Sequence, residues 1–128
     1  MIVLDENIIE LQRQQLEAWR MHVRQIGVEI GKRGMKDRNE IIPLLHTLRR
    51  PTFFTRDHDF YYPWLRHLGY CLVFLEVKPD EAAQYIRRFL RHPGFRTQAQ
   101  RMGKVARVHE EGISCWQVGV GKSRGRTW

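Results

Sequence analysis

Residues 70–77, Tyr-Cys-Leu-Val-Phe-Leu-Glu-Val, form a nearly continuous apolar run with almost no polar face. Such a run is short for a helix and lacks the alternation of a half-wet strand, which predicts a central strand buried on both faces. Strands of that kind belong to parallel sheets, whose crossovers are helices. Shorter apolar runs at 1–4 and 52–55 repeat the theme, and 22–26 alternates like a further strand. Between them lie segments of helical period. In residues 7–20, Ile8, Ile9, Leu11, Leu16, Ala18 and Trp19 fall on one broad face, with Asn7 placed to cap the start. Residues 38–49 set Ile41, Leu44, Leu45 and Leu48 in a stripe, with Pro43 tolerable only near the first turn. Residues 81–91, opened by Pro79 or Asp80, turn Ala82, Tyr85, Ile86, Phe89 and Leu90 inward.

The glycines of 27–34 read as a flexible loop, since their spacing is not a dinucleotide fingerprint. Segments 104–109 and 114–120 read as a closing hairpin around Glu110-Glu111-Gly112, and 122–128 as a basic, mobile tail. The expected fold is therefore α/β: a mainly parallel central sheet with helices on both faces and a C-terminal antiparallel hairpin, in one domain over 1–121.

The apolar runs at 2–4 and 52–55 are each followed closely by acid, at Asp5-Glu6 and at Asp57-His58-Asp59. Carboxylates after neighbouring parallel strands face the crevice where α/β sheets bind ligands. Close together they repel, and need a cation or a shared proton. Mg²⁺ or Mn²⁺ suits them, because hard ions take carboxylate oxygens and keep waters for a phosphate substrate. Asp37 and Glu40 lie at the start of the second helix, where the helix dipole also favours acid. His58 reads as a solvent-facing loop residue between two acids.

Other chemistries find little support. The six histidines lack metal-ligand spacing. Ser114 and Ser123 sit outside any nucleophile-elbow pattern. Cys71 and Cys115 lie in apolar runs without a CxxC partner and read as buried free thiols.

The formal charge of +8 and pI near 10.1 point to polyanionic partners, nucleic acid first and an acidic protein second. Arg56 abuts Asp57. Arg87, Arg88 and Arg91 are either a solvated helix face or a phosphate track, and Tyr61, Tyr62 and Trp64 either pack inside or stack unpaired bases. No apolar run spans a bilayer and the start lacks a signal-peptide pattern, so a cytoplasmic protein without membrane contact is expected.

Three stretches together resemble the PIN-like proteins of bacterial toxin–antitoxin systems: Ile-Val-Leu-Asp-Glu-Asn at 2–7, Gly-Met-Lys-Asp-Arg-Asn-Glu-Ile-Ile at 34–42, and Thr-Phe-Phe-Thr-Arg-Asp-His-Asp-Phe at 52–60. The resemblance spans about residues 1–92. It implies a three-layer α/β/α sandwich and a metal-dependent endoribonuclease, commonly a toxin neutralised by an antitoxin and often dimeric. Asp5, Asp37 and Asp57 match the motif acids that would hold Mg²⁺ or Mn²⁺, while Glu6 and Asp59 match secondary positions. The middle acid aligns as either Asp37 or Glu40. No further acid follows the 70–77 strand, since Glu76 alternates with apolar residues and Asp80 reads as a cap. A thinned acidic set of this kind also fits a PIN-like domain that binds RNA or protein without cutting.

Overall fold

Val3 and Leu4, Phe53 and Phe54, and Leu72 and Val73 are fully buried adjacent pairs, each pair sending one side chain to either face of a single sheet. The computed structural model describes residues 1–128. Its strands are β1 (Ile2–Leu4), β2 (Val23–Gln25), β3 (Thr52–Thr55), β4 (Cys71–Leu75), β5 (Lys104–His109), β6 (Gly112–Gln117) and β7 (Arg124–Thr127). They form one seven-stranded sheet in the order β2-β1-β3-β4-β5-β6-β7. The pairings from β2 to β5 are parallel, and β6 and β7 close the sheet antiparallel. The α/β class, the parallel centre and the C-terminal hairpin are as the sequence implies, but the hairpin's second strand runs Gly112–Gln117 rather than 114–120, because Gly112 pairs with His109 instead of lying in the turn.

Helices α1 (Glu10–Ala18) and α3 (Ala82–Arg91) cover the Leu4–Phe54–Val73 face, burying Leu16, Ile86 and Phe89 there. Phe89 meets Phe54 edge-on at 5.7 Å. Helix α2 (Arg38–His46) covers the other face with Ile41 and Leu45, beside a Phe53–Phe60 pair at 5.2 Å. A short α4 (Gln98–Arg101) opens with a Thr97–Gln100 capping box. No helix is long and apolar enough to cross a membrane.

The chain passes from β1 through α1 to β2 on one side, then returns through α2 to β3 on the other side of β1. That reversal makes the carboxyl ends of β1 and β3 a topological switch point.

Four local expectations are corrected. Helix α1 starts at Glu10 rather than residue 7, because Asn7 spends its side chain on Thr55 and Arg56 instead of capping. Pro43 lies in the second turn of α2, and the helix stops at His46 rather than residue 49. The continuous run at 70–77 yields a strand only over Cys71–Leu75. The tail expected to be mobile is strand β7 at the sheet edge. Its pairing with β6 requires glycine at Gly112 (φ 154°), where any Cβ would collide with the Arg126 carbonyl. Trp128 then packs near Tyr85, and its indole N–H donates to the His109 carbonyl at 2.8 Å.

Cys71 and Cys115 are free and buried. Burial pushes the Cys71 thiol up to about 12, so it behaves as a small apolar group.

Candidate functional site

The register Leu4↔Phe54 brings the chain leaving β1 alongside the chain leaving β3. The Asp5 N–H donates to the Phe54 carbonyl at 2.9 Å, so Asp5 prolongs the ladder by one residue. Its side chain is only 4% exposed. The Thr55 hydroxyl donates to Asp5 Oδ2 at 2.7 Å, and the Glu6 N–H donates to Oδ1 at 2.8 Å. Burial raises the Asp5 carboxyl to about 6 against the pull of those two hydrogen bonds, and the charges of Asp57 and Glu6 raise it further.

Thr55 is the hub. While its hydroxyl donates to Asp5, Oγ1 accepts from the Asp57 N–H at 3.0 Å and from Asn7 Nδ2 at 3.2 Å. Asn7 Oδ1 accepts in turn from the Arg56 N–H at 3.1 Å. One threonine and one asparagine thus lock the two strand ends together and orient both acids. Gln25, at the end of β2, adds a clamp by donating through Nε2 to the Asp5 and Ile8 carbonyls.

The result is a cleft of about 590 Å³ lined by no hydrophobic residue, formed by Asp5, Glu6, Asn7, Lys36, Arg56, Asp57 and His58. A second cleft of about 450 Å³ adjoins it through Lys36 and Asp57, and adds Asp37, Arg38, Asn39 and Asp59. Asp57 therefore belongs to both. Its Oδ1 accepts from the Asp59 N–H at 2.9 Å and caps the 3₁₀ turn His58–Phe60. Ligand atoms of Asp57, His58 and Asp59 all lie within 4.8 Å of one another. His58 is exposed as expected, and its ring nitrogens sit 3.8 Å from Asp57 and 3.6 Å from Asp59.

Asp37 caps α2, its Oδ1 accepting from the Asn39 N–H at 2.9 Å, and it also lines the second cleft. Glu40 is exposed in the first turn of α2 and lines neither cleft. Glu6 lines the first cleft while its Oε1 accepts from the Gly34 N–H at 2.6 Å, which ties the 27–34 loop to the site. Glu76 follows β4 but is paired with Arg107 at 2.7 Å.

The cations divide. Arg56 and Lys36 line the first cleft and form no ion pair. Arg87, Arg88 and Arg91 line neither cleft, because the crossover after β4 carries α3 back across the sheet face, away from the carboxyl ends of β1 and β3. Arg87 lies over the Trp19 ring at 3.6 Å and Arg88 over Trp128 at 4.5 Å, so aromatic faces occupy both.

Sequence reading missed Thr55, Asn7, Gln25 and Lys36. The Thr-x-Asp spacing at the end of an apolar run was the available signal for Thr55. Thr55→Val removes the donor to Asp5 and the acceptor for Asp57 and Asn7 in a fully buried place. A loss of about 1–3 kcal/mol is expected in urea unfolding, the range for leaving buried polar groups unpaired. An unchanged midpoint would show that the network is not holding the strand ends.

Compared with known proteins, the chain matches no family model, no curated protein and no solved structure.

Proposed function

We propose that the chain is a Mg²⁺- or Mn²⁺-dependent endoribonuclease of PIN-like type, the toxin of a toxin–antitoxin pair. The observation that carries this reading is that Asp5 and Asp57 share one cation-flanked cleft, lined only by polar and charged residues, at the β1/β3 switch point. The donor set fits a hard divalent ion. It consists of carboxylates, and Asp5 is a buried acid with no cationic side-chain partner. Each Asp5 oxygen accepts one hydrogen bond, which leaves lone pairs for a metal.

Asp5 and Asp57 would hold the ion, with Asp37 across the second cleft. A bound ion supplies Lewis-acid polarisation of the phosphate and a more acidic water. Thr55 keeps the Asp5 carboxylate turned and restrained while the ion and substrate come and go. Asp59, exposed beside Asp57, orients the attacking water. Lys36 and Arg56, free of carboxylate partners, take the non-bridging oxygens of the RNA phosphate. In the hydrolysis the water oxygen bonds to phosphorus, the bridging P–O bond breaks, and a proton from water ends on the leaving oxygen.

The test is cleavage of a labelled single-stranded RNA with Mn²⁺ or Mg²⁺, with and without EDTA. Cleavage is expected to need the metal and to fall about 100-fold or more in Asp57→Asn, the scale for losing a principal electrostatic group. Cutting that survives both chelation and Asp57→Asn overturns the metal site. A second reading, a PIN-like domain that binds without cutting, is favoured by the Glu76–Arg107 pairing, which leaves the cleft without a further strand-end acid. Salt-sensitive RNA binding with no cleavage under any metal would select it.

A further inference from the structure

Trp64 is 68% exposed, a costly position for the largest apolar side chain. Its ring is nevertheless not loose. It stacks on Tyr62 with centroids 4.4 Å apart and planes 15° from parallel. The 3₁₀ turn that bears it, Pro63–Leu65, is clamped on both sides. Arg66 Nε donates to the Pro63 carbonyl at 2.6 Å, and Arg66 Nη1 reaches the Gln117 and Val120 carbonyls at 2.8 and 2.6 Å. The Tyr70 hydroxyl donates to the Leu65 carbonyl. A rigid turn thus presents an indole outward, with a second ring already layered against it.

Arg38 connects this stack to the acids. Its guanidinium lies 5.3 Å from the Tyr62 ring centroid, and the same residue lines the cleft that contains Asp37, Asp57 and Asp59. A cation that adjoins both an aromatic stack and a polar cleft is placed to pair with a phosphate next to a stacked base. Bases stack on aromatic faces whatever their identity, but only when unpaired. We propose that Trp64, layered on Tyr62, is a stacking platform for an unpaired base of single-stranded RNA, and that Arg38 contacts the phosphate leading from that base toward the acid cleft. The inference rests on the reading of the cleft as a site for RNA phosphate. It adds the site that holds a base, and with it a reason for single strands or loops to bind in preference to duplex.

Binding measured in EDTA tests the platform independently of cleavage. The probes are a fluorescently labelled octanucleotide of single-stranded RNA, the same chain with abasic residues, and a perfect RNA duplex. Trp64→Ala is expected to weaken single-strand binding about 5- to 150-fold, the range for losing one base–aromatic stack. Trp64→Phe should recover most of that affinity. The abasic chain should bind wild type and Trp64→Ala alike, and the duplex should be indifferent to the substitution. Equal affinity of wild type and Trp64→Ala for the single strand, or the same loss on the abasic chain, overturns the platform. If Asp57→Asn abolishes metal-dependent cleavage while Trp64→Ala binds normally, the platform fails and the nuclease stands. If binding depends on Trp64 but nothing is ever cut, the nuclease fails and the platform stands. A wild type that binds none of the three at low salt overturns both.

Discussion

Asp5→Asn is expected to cleave RNA at least about 100-fold more slowly and yet to be more stable than wild type at pH 7.5. The reason is that the fold holds a charge where the charge is unfavourable. Burial raises the Asp5 carboxyl from 3.8 to about 6, which at 1.36 kcal/mol per pKa unit is a penalty of about 3 kcal/mol on the ionised form. Asparagine removes the penalty but turns one acceptor into a donor facing Thr55 or Glu6, which returns about 1–2 kcal/mol. A net gain of about 1–2 kcal/mol remains by these principles.

The sign of the pH dependence follows from the same shift. Between 3.8 and about 6 the folded protein retains a proton that the unfolded chain has lost. The Asp5 contribution to stability therefore falls as pH rises through that window, and the penalty is complete above it. Urea unfolding of both proteins in EDTA, from pH 4 to 7.5, should show the mutant's advantage growing with pH. An advantage that is flat across that range would exclude a raised Asp5 carboxyl. Stability kept low by one carboxylate is what a functional group looks like energetically, since packing alone would favour the amide.

Arg101→Met should have the opposite profile, with stability lost and cleavage kept. Arg101 is 6% exposed and has no carboxylate partner. Neutral acceptors hold it: Nε donates to Thr52 Oγ1 at 2.9 Å, and Nη1 donates to the Phe95 and Arg96 carbonyls at 3.0 Å each. Burial lowers its affinity for the proton, as expected for a cation taken from water. The bonds tie the connection before β5 to the first residue of β3, at the amino ends of the strands and so opposite the cleft. Methionine fills part of the volume but leaves three acceptors unpaired. A loss of about 2–4 kcal/mol is expected, because hydrogen bonds to charged donors are worth more than neutral ones. Urea unfolding gives the first half of the prediction and the RNA assay the second. A midpoint within error of wild type would mean that water replaces the guanidinium without cost.

The fold was largely legible because its signals are local. Apolar pairs such as Val3–Leu4 and Phe53–Phe54 can satisfy both faces of a sheet only if helices cover both, and the intervening segments have the helical period to do so. Boundaries were less legible where a side chain had a distant partner. Asn7 is a good cap by composition, but its amide is used by Thr55 and Arg56, and α1 starts later in consequence. Arg101 reads as one more surface cation until its burial against Thr52 is known. The basic tail carries no strand period, and its place in the sheet depends on Gly112 giving way to the Arg126 backbone.

Within the candidate site, the sequence by itself determined that Asp5 and Asp57 follow strands, since a run of apolar residues must end where polarity begins. Only the tertiary structure decided that those strands are neighbours, that the chain reverses between them, and that Thr55 orients both acids at once. It also left Glu40 outside the clefts, tied Glu76 to Arg107, and drew Lys36 in. The physical reason is the range of the interactions. Strand and helix follow from periods of a few residues, whereas the bonds that join Asp5, Asn7, Thr55 and Arg56 connect residues 48 to 50 apart in the chain. Such bonds exist only once the hydrophobic faces of the sheet have been buried and the strand ends brought side by side.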